Sequence, residues 1–156
     1  MQKDFVDKNV ENFVDAGRLG DDFSIKEMSS LDPAKVAQFN REVYKDEFNA
    51  ARFNDPDRIV RFWRWKYYDN PGSKGIKNFG YLAEYRDTLI GQFHIIPAEV
   101  KIGKEYYRSA WGSDLAVAGE YRNLGLSAFL IQYARRRVGD DFAFFLLAGM
   151  NKNSYG

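Results

Sequence analysis

The sequence predicts an α/β fold, a mixed sheet with helices on both sides, in the order β-α-α-β-β-β-α-β. Three observations predict it. Two Asp-Pro pairs open amphipathic stretches in the first half of the chain. Three strand-like stretches then follow one another across short turns. Finally, Ser113 to Val138 passes from an apolar strand through a glycine-bearing turn into an amphipathic helix.

In chain order, residues 1–22 read as an extension with short helical character, closed by Gly17 and Gly20, and the domain proper runs from 23 to 156. Phe23 to Ser30 alternates as a first strand. Asp32-Pro33 places a capping aspartate before a proline in the first turn, so a helix follows, with Val36, Phe39, Val43 and Phe48 on one face. Asp55-Pro56 repeats the device. That helix runs through Ile59, Phe62, Trp63 and Lys66 until Asn70-Pro71-Gly72 stops it. Phe79 to Arg86 and Thr88 to Ile102 form two strands joined by a tight turn, and Tyr106 to Val117 the third of a meander. Phe142 to Ala148 (FAFFLLA) is a continuous apolar run, the pattern of a strand buried on both faces.

Composition bounds the function. The 156 residues suffice for one domain with a real core, and 45% apolar with 17% aromatic residues excludes a disordered chain. Lys plus Arg is 23 against 22 Asp plus Glu, so no field of one sign recruits nucleic acid or a membrane surface. No cysteine and a single histidine argue against disulfides, thiolate chemistry and a zinc cluster. No signal-peptide pattern opens the chain and no apolar run approaches the ~20 residues of a membrane span, so a soluble, cytoplasmic protein is expected.

The informative stretch is Glu120 to Ser127. A strand entering a helix through a glycine turn leaves the first main-chain N–H groups of the helix without intrahelical partners. Those donors and the positive helix end suit a phosphate. Arg122 adds a charged fork and Gly125 lets a ligand approach the backbone. The plainer account is a crowded corner with a solvated arginine.

The order of apolar strand, Arg122, Gly125, Ser127 and amphipathic helix resembles the R/Q-x-x-G-x-G/A acetyl-coenzyme A signature of the GCN5-related N-acetyltransferases, with serine as the small last residue. Three other stretches are similar to the family: Phe62 to Pro71 resembles a W-x-W-K-Y-x-x-N-P segment of one branch, Ile90-Gly91-Gln92 resembles the entry to its third strand, and Asn151 to Tyr155 resembles the N-x-x-S-y start of the helix after its fifth strand. The resemblance implies a mostly antiparallel sheet and direct acetyl transfer from acetyl-coenzyme A to an amine, small or polymer-borne, with no metal. It also implies that a further helix and two strands would follow Gly156. A fragment, or a protomer completed by a second chain or a copy of itself, is therefore expected.

By the same resemblance, the main chain of Leu115, Ala116 and Val117 would contact the pantetheine arm. Arg122, Asn123, Leu124, Gly125, Leu126 and Ser127 would bind the diphosphate, and Asn151 and Ser154 would touch the arm from the other side. The proton acceptor would be Asp114, with burial raising its pKa toward a useful value, or Glu84 on a central strand; a rim or capping carboxylate is the plainer account of Asp114. His94 reads as structural and Tyr155 as a weak acid candidate. Trp65, Tyr67 and Tyr68 are candidate acceptor contacts, whereas Phe62 and Trp63 read as aromatics packed on the sheet. The second reading is an inactive acyl-coenzyme A binding or interaction module that keeps the fold. A third makes the aromatic-basic helix a nucleic-acid contact, which the near-neutral charge disfavours.

Overall fold

The computed structural model describes residues 20, 22–30, 32–45, 54–76 and 78–147. Of the N-terminal extension residues 1–19 and 21 lie outside them, as do Phe48, Ala148, Asn151, Ser154 and Tyr155. The expected order holds: β1 (Phe23–Glu27), α1 (Pro33–Val43), α2 (Pro56–Trp63), β2 (Gly80–Tyr85), β3 (Thr88–Ile102), β4 (Glu105–Val117), α3 (Leu126–Val138) and β5 (Phe144–Leu147). Both Asp-Pro starts act as read: Asp32 accepts from the N–H of Ala34 at 2.9 Å and Asp55 from that of Arg58 at 3.1 Å. β1 is shorter than expected, because Met28–Ser30 winds into a 3₁₀ turn.

The five strands lie side by side in sequence order. β1 to β4 pair antiparallel and β5 joins β4 in parallel. Side-chain alternation divides the core into two layers. On one face Ile90, Phe93, Ala110 and Val117 pack under Leu126, Leu130, Tyr133 and Ala134 of α3. On the other, Leu82, Leu89 and Ala116 pack under Val36, Ala37 and Phe39 of α1 and Ile59 and Trp63 of α2.

Two expectations are corrected. β5 is not buried on both faces: it is half-buried, with Leu147 44% exposed, because it pairs with β4 alone at the edge of the described sheet. Phe62 does not pack on the sheet but is 45% exposed, since the buried stripe of α2 falls at Ile59 and Trp63 and continues to Tyr67. Beyond Trp63 the helix widens into a π turn, Arg64–Tyr68, closed by Asp69 N–H donating to the Arg64 carbonyl at 2.8 Å. A 3₁₀ turn at Pro71–Ser73 then ends it.

Candidate active site

β4 is irregular where the chemistry was expected. His94 stands opposite Ser113 and Gln92 opposite Ala116, so Asp114 and Leu115 face the single residue Phe93. This bulge holds Asp114 at φ 49°, a left-handed conformation that aspartate adopts more readily than most residues. The Asp114 carbonyl accepts from Gln92 Nε2 at 3.1 Å. Gln92 and Asn40 of α1, both buried, exchange two amide hydrogen bonds at 3.0 and 3.1 Å. Asn40 also donates to the Val36 carbonyl at 2.8 Å. A buried amide pair thus ties α1 to the bulge.

The Asp114 side chain receives a convergent set of donors. Lys66 Nζ donates to Asp114 Oδ2 at 2.9 Å and to Ser113 Oγ at 2.7 Å. The Tyr67 hydroxyl donates to the same Oδ2 at 2.5 Å. His94 Nδ1 lies 3.1 Å from Tyr67 Oη and 3.5 Å from Asp114 Oδ2. His94 Nε2 is buried without a partner, and a proton there would be an orphaned donor. Because the Tyr67 hydroxyl gives its one proton to Asp114, its contact with His94 is a hydrogen bond that the ring donates from Nδ1.

The electrostatics overturn the expectation that Asp114 titrates high. Burial does push its carboxyl up, but the His94 ring, the Lys66 ammonium and the Tyr67 hydroxyl outweigh it and hold it well below the usual carboxylate range. Burial, reinforced by Asp114, pushes the Tyr67 hydroxyl well above its ordinary value, so Tyr67 remains a donor.

The bulge opens on a cavity of about 210 Å³ lined by Asn40, Tyr44, Arg58, Ile59, Phe62, Trp63, Lys66 and Asp114. Of the proposed acceptor contacts, none lines it. Tyr67 is 0% exposed, Trp65 is 68% exposed, and Tyr68 borders a different cavity beside Met28 and Asp69. Glu84 lies buried on β2, opposite Ser24 and Leu89. It is two strands from Asp114 and four residues away in register, about 10 Å across and about 13 Å along the sheet. The two carboxylates cannot act on one proton.

Beyond β4 the chain turns through Gly119–Tyr121 and reaches α3 at Gly125, the N-cap, with φ 82°. Asn123, at φ 65°, is also left-handed, and Asn123, Gly125 and Ser127 are exposed. The helix begins without a side-chain cap and without an acidic residue in its first turn. Not every group foreseen there is open: the Arg122 N–H donates to the Gly119 carbonyl at 3.3 Å and its Nε to the Val117 carbonyl at 3.2 Å. The β4–β5 ladder reaches Gly112 opposite Leu147, so Leu115 to Val117 have no described partner on that side. Among the described residues no cluster of His, Cys, Asp and Glu could hold a metal, and no helix is long and apolar enough to cross a membrane.

A mixed, mostly antiparallel sheet whose bulged strand β4 leads through a glycine turn into the uncapped start of α3 defines the class of α/β protein. Residues 24–149 match the family described as "Acetyltransferase (GNAT) domain", and the chain belongs to that family, whose reaction is acyl transfer to an amine. No curated protein sequence matches the chain. Its fold is similar to a crystal structure of a transcriptional regulator from Bacillus halodurans C-125 (TM-score 0.61, 14% identity, covering 84% of this chain and 83% of that one). It is also similar to glucosamine-6-phosphate N-acetyltransferase from Arabidopsis thaliana (0.60, 12%, 85% and 86%). A GCN5-related N-acetyltransferase from Ralstonia eutropha JMP134 is comparable (0.60, 15%, 85% and 87%).

Lys66, Arg58 and the Asn40–Gln92 pair were not recognised as site residues from sequence. A signal existed for one of them: Gln92 and His94 alternate on an otherwise apolar strand, the mark of polar side chains sharing one buried face.

Proposed function

We propose that the chain is an acetyl-coenzyme A-dependent N-acetyltransferase, and one observation carries this: the uncapped, glycine-started N-terminus of α3 directly follows the strand whose bulge presents Asp114. The residues suit the cosubstrate. Main-chain donors beyond Arg122, with Gly125 giving close approach, match a diphosphate. The main chain of Leu115 to Val117 would hold the pantetheine arm, and Asn151 and Ser154 remain proposed contacts. When bound, acetyl-coenzyme A supplies an activated acyl group as a thioester.

The chain's own residues then hold and orient the amine. Asp114 is ionised throughout the working pH range, so it is a poor proton store. It can anchor an incoming ammonium beside the cosubstrate strand, and solvent at the cavity mouth can take the proton. Lys66 and Tyr67 fix the carboxylate, and His94 fixes Tyr67. Orientation is the principal contribution of this set.

Ser127→Asp tests the reading. An aspartate in the first turn favours the helix by about 0.3–1 kcal/mol, so the fold survives. The same charge repels a diphosphate and is expected to weaken acetyl-coenzyme A binding, read by calorimetry, by about tenfold or more. Unchanged affinity refutes the phosphate site. The low-titrating Asp114 favours a second reading, an acyl-coenzyme A binding module without turnover. Binding with no transfer to any amine would select it.

A further inference from the structure

The cavity at the β4 bulge holds two cations against one carboxylate. Lys66, Tyr67 and His94 all converge on Asp114 Oδ2, and Oδ1 receives no hydrogen bond from a described residue. Lys66 uses two of its three donors, on Ser113 and Asp114. Arg58 is exposed at the rim, and among the described residues its guanidinium has no ion pair or hydrogen bond. The capping carboxylate of its own helix, Asp55, takes the Arg58 main-chain N–H and pairs at 4.0 Å with Arg61 instead. The other polar groups are occupied: both ends of the Asn40 amide are engaged by Gln92 and Val36. Ile59, Phe62 and Trp63 supply apolar walls.

We infer that the acceptor is a small primary amine that also carries an anionic group, carboxylate or phosphate, held by Arg58 at the rim while its nitrogen meets Asp114 Oδ1. The inference deepens the acetyltransferase reading and rests on it for the amine. Three features point the same way. The net positive charge of the cavity disfavours a di- or polyamine and favours a zwitterion. Arg58 presents five donors that no described residue uses, in a fork suited to a carboxylate or phosphate. At about 210 Å³ the cavity falls below the ~300–1,000 Å³ of drug-sized sites, the scale of a single metabolite rather than a polymer segment.

Binding, read without turnover, tests this separately from acetyl transfer. Calorimetry on the full chain compares leucine with leucinamide and isoamylamine, which share its apolar body, and phosphoethanolamine with ethanolamine. The expected result is that one anionic member binds at least about tenfold tighter than its counterpart without the anion, whichever pair reveals it. In Arg58→Ala that ratio is expected to fall to within about threefold. Arg58 is exposed, so the variant folds. Preference for isoamylamine or ethanolamine, no measurable binding by either anionic amine, or a ratio that survives Arg58→Ala overturns the inference. None of these touches the phosphate site, which stands or falls with Ser127→Asp.

Discussion

Replacing Gln92 with leucine, a side chain of similar size, asks whether the buried amide pair holds the bulge. The change removes both bonds exchanged with Asn40 and the bond to the Asp114 carbonyl. Asn40 Nδ2 keeps the Val36 carbonyl, so two acceptors lose their partners: Asn40 Oδ1 and the Asp114 carbonyl. At about 1–3 kcal/mol for each buried orphan, the variant is expected to lose about 2–6 kcal/mol, a large share of the ~5–15 kcal/mol typical of a domain. Adding Asn40→Leu removes one orphan, so the double variant is expected to lose less than the two single losses combined. Urea unfolding followed by tryptophan fluorescence reads all four proteins of the cycle. A loss below about 1 kcal/mol for Gln92→Leu, or strictly additive single changes, refutes the clamp.

The remaining predictions concern the acid limb and a close approach of backbones. The folded pKa of Asp114 is depressed, so its contribution to stability is complete above the unfolded value of about 3.9 and is lost as pH falls toward the folded one. Asp114→Asn, which tolerates the left-handed backbone, is therefore expected to flatten the fall in stability between about pH 4 and pH 2; superimposable acid-unfolding curves would contradict this. Gly72 packs its Cα on β3 so tightly that an added Cβ would lie 2.8 Å from the Pro97 carbonyl carbon, a main-chain atom with no room to yield. Gly72→Ala is expected to destabilise by about 1–3 kcal/mol in urea, and an unchanged midpoint would disprove the packing argument.

Much of the frame was legible because its signals are local. Asp32-Pro33 and Asp55-Pro56 are complete instructions for a helix start, and Gly125 between an apolar strand and an amphipathic helix marks the turn at which α3 begins. The strand at Phe142–Ala148 was misjudged for the opposite reason. Apolar content reports what a strand could bury, while exposure depends on its place in the sheet, and among the described residues β5 pairs on one side only. Phe62 and Tyr67 exchanged their expected environments because the buried stripe runs Ile59, Trp63, Tyr67, leaving Phe62 one position off it. The Asp114 donors were hidden by distance along the chain: Lys66 and Tyr67 lie 48 and 47 residues away. No spacing rule joins them, and proximity to a buried strand, taken alone, suggested a carboxyl that titrates high.

The wide turn at Arg64–Tyr68 has a consequence for any shortened version of this protein. Each residue removed from a helix rotates all that follows by about 100°. A chain lacking one residue here would gain a better-bonded coil, yet the ammonium would swing away from its carboxylate and the phenol would leave its slot beneath the sheet. The less comfortable winding is what aims two neighbouring side chains at a single oxygen atom.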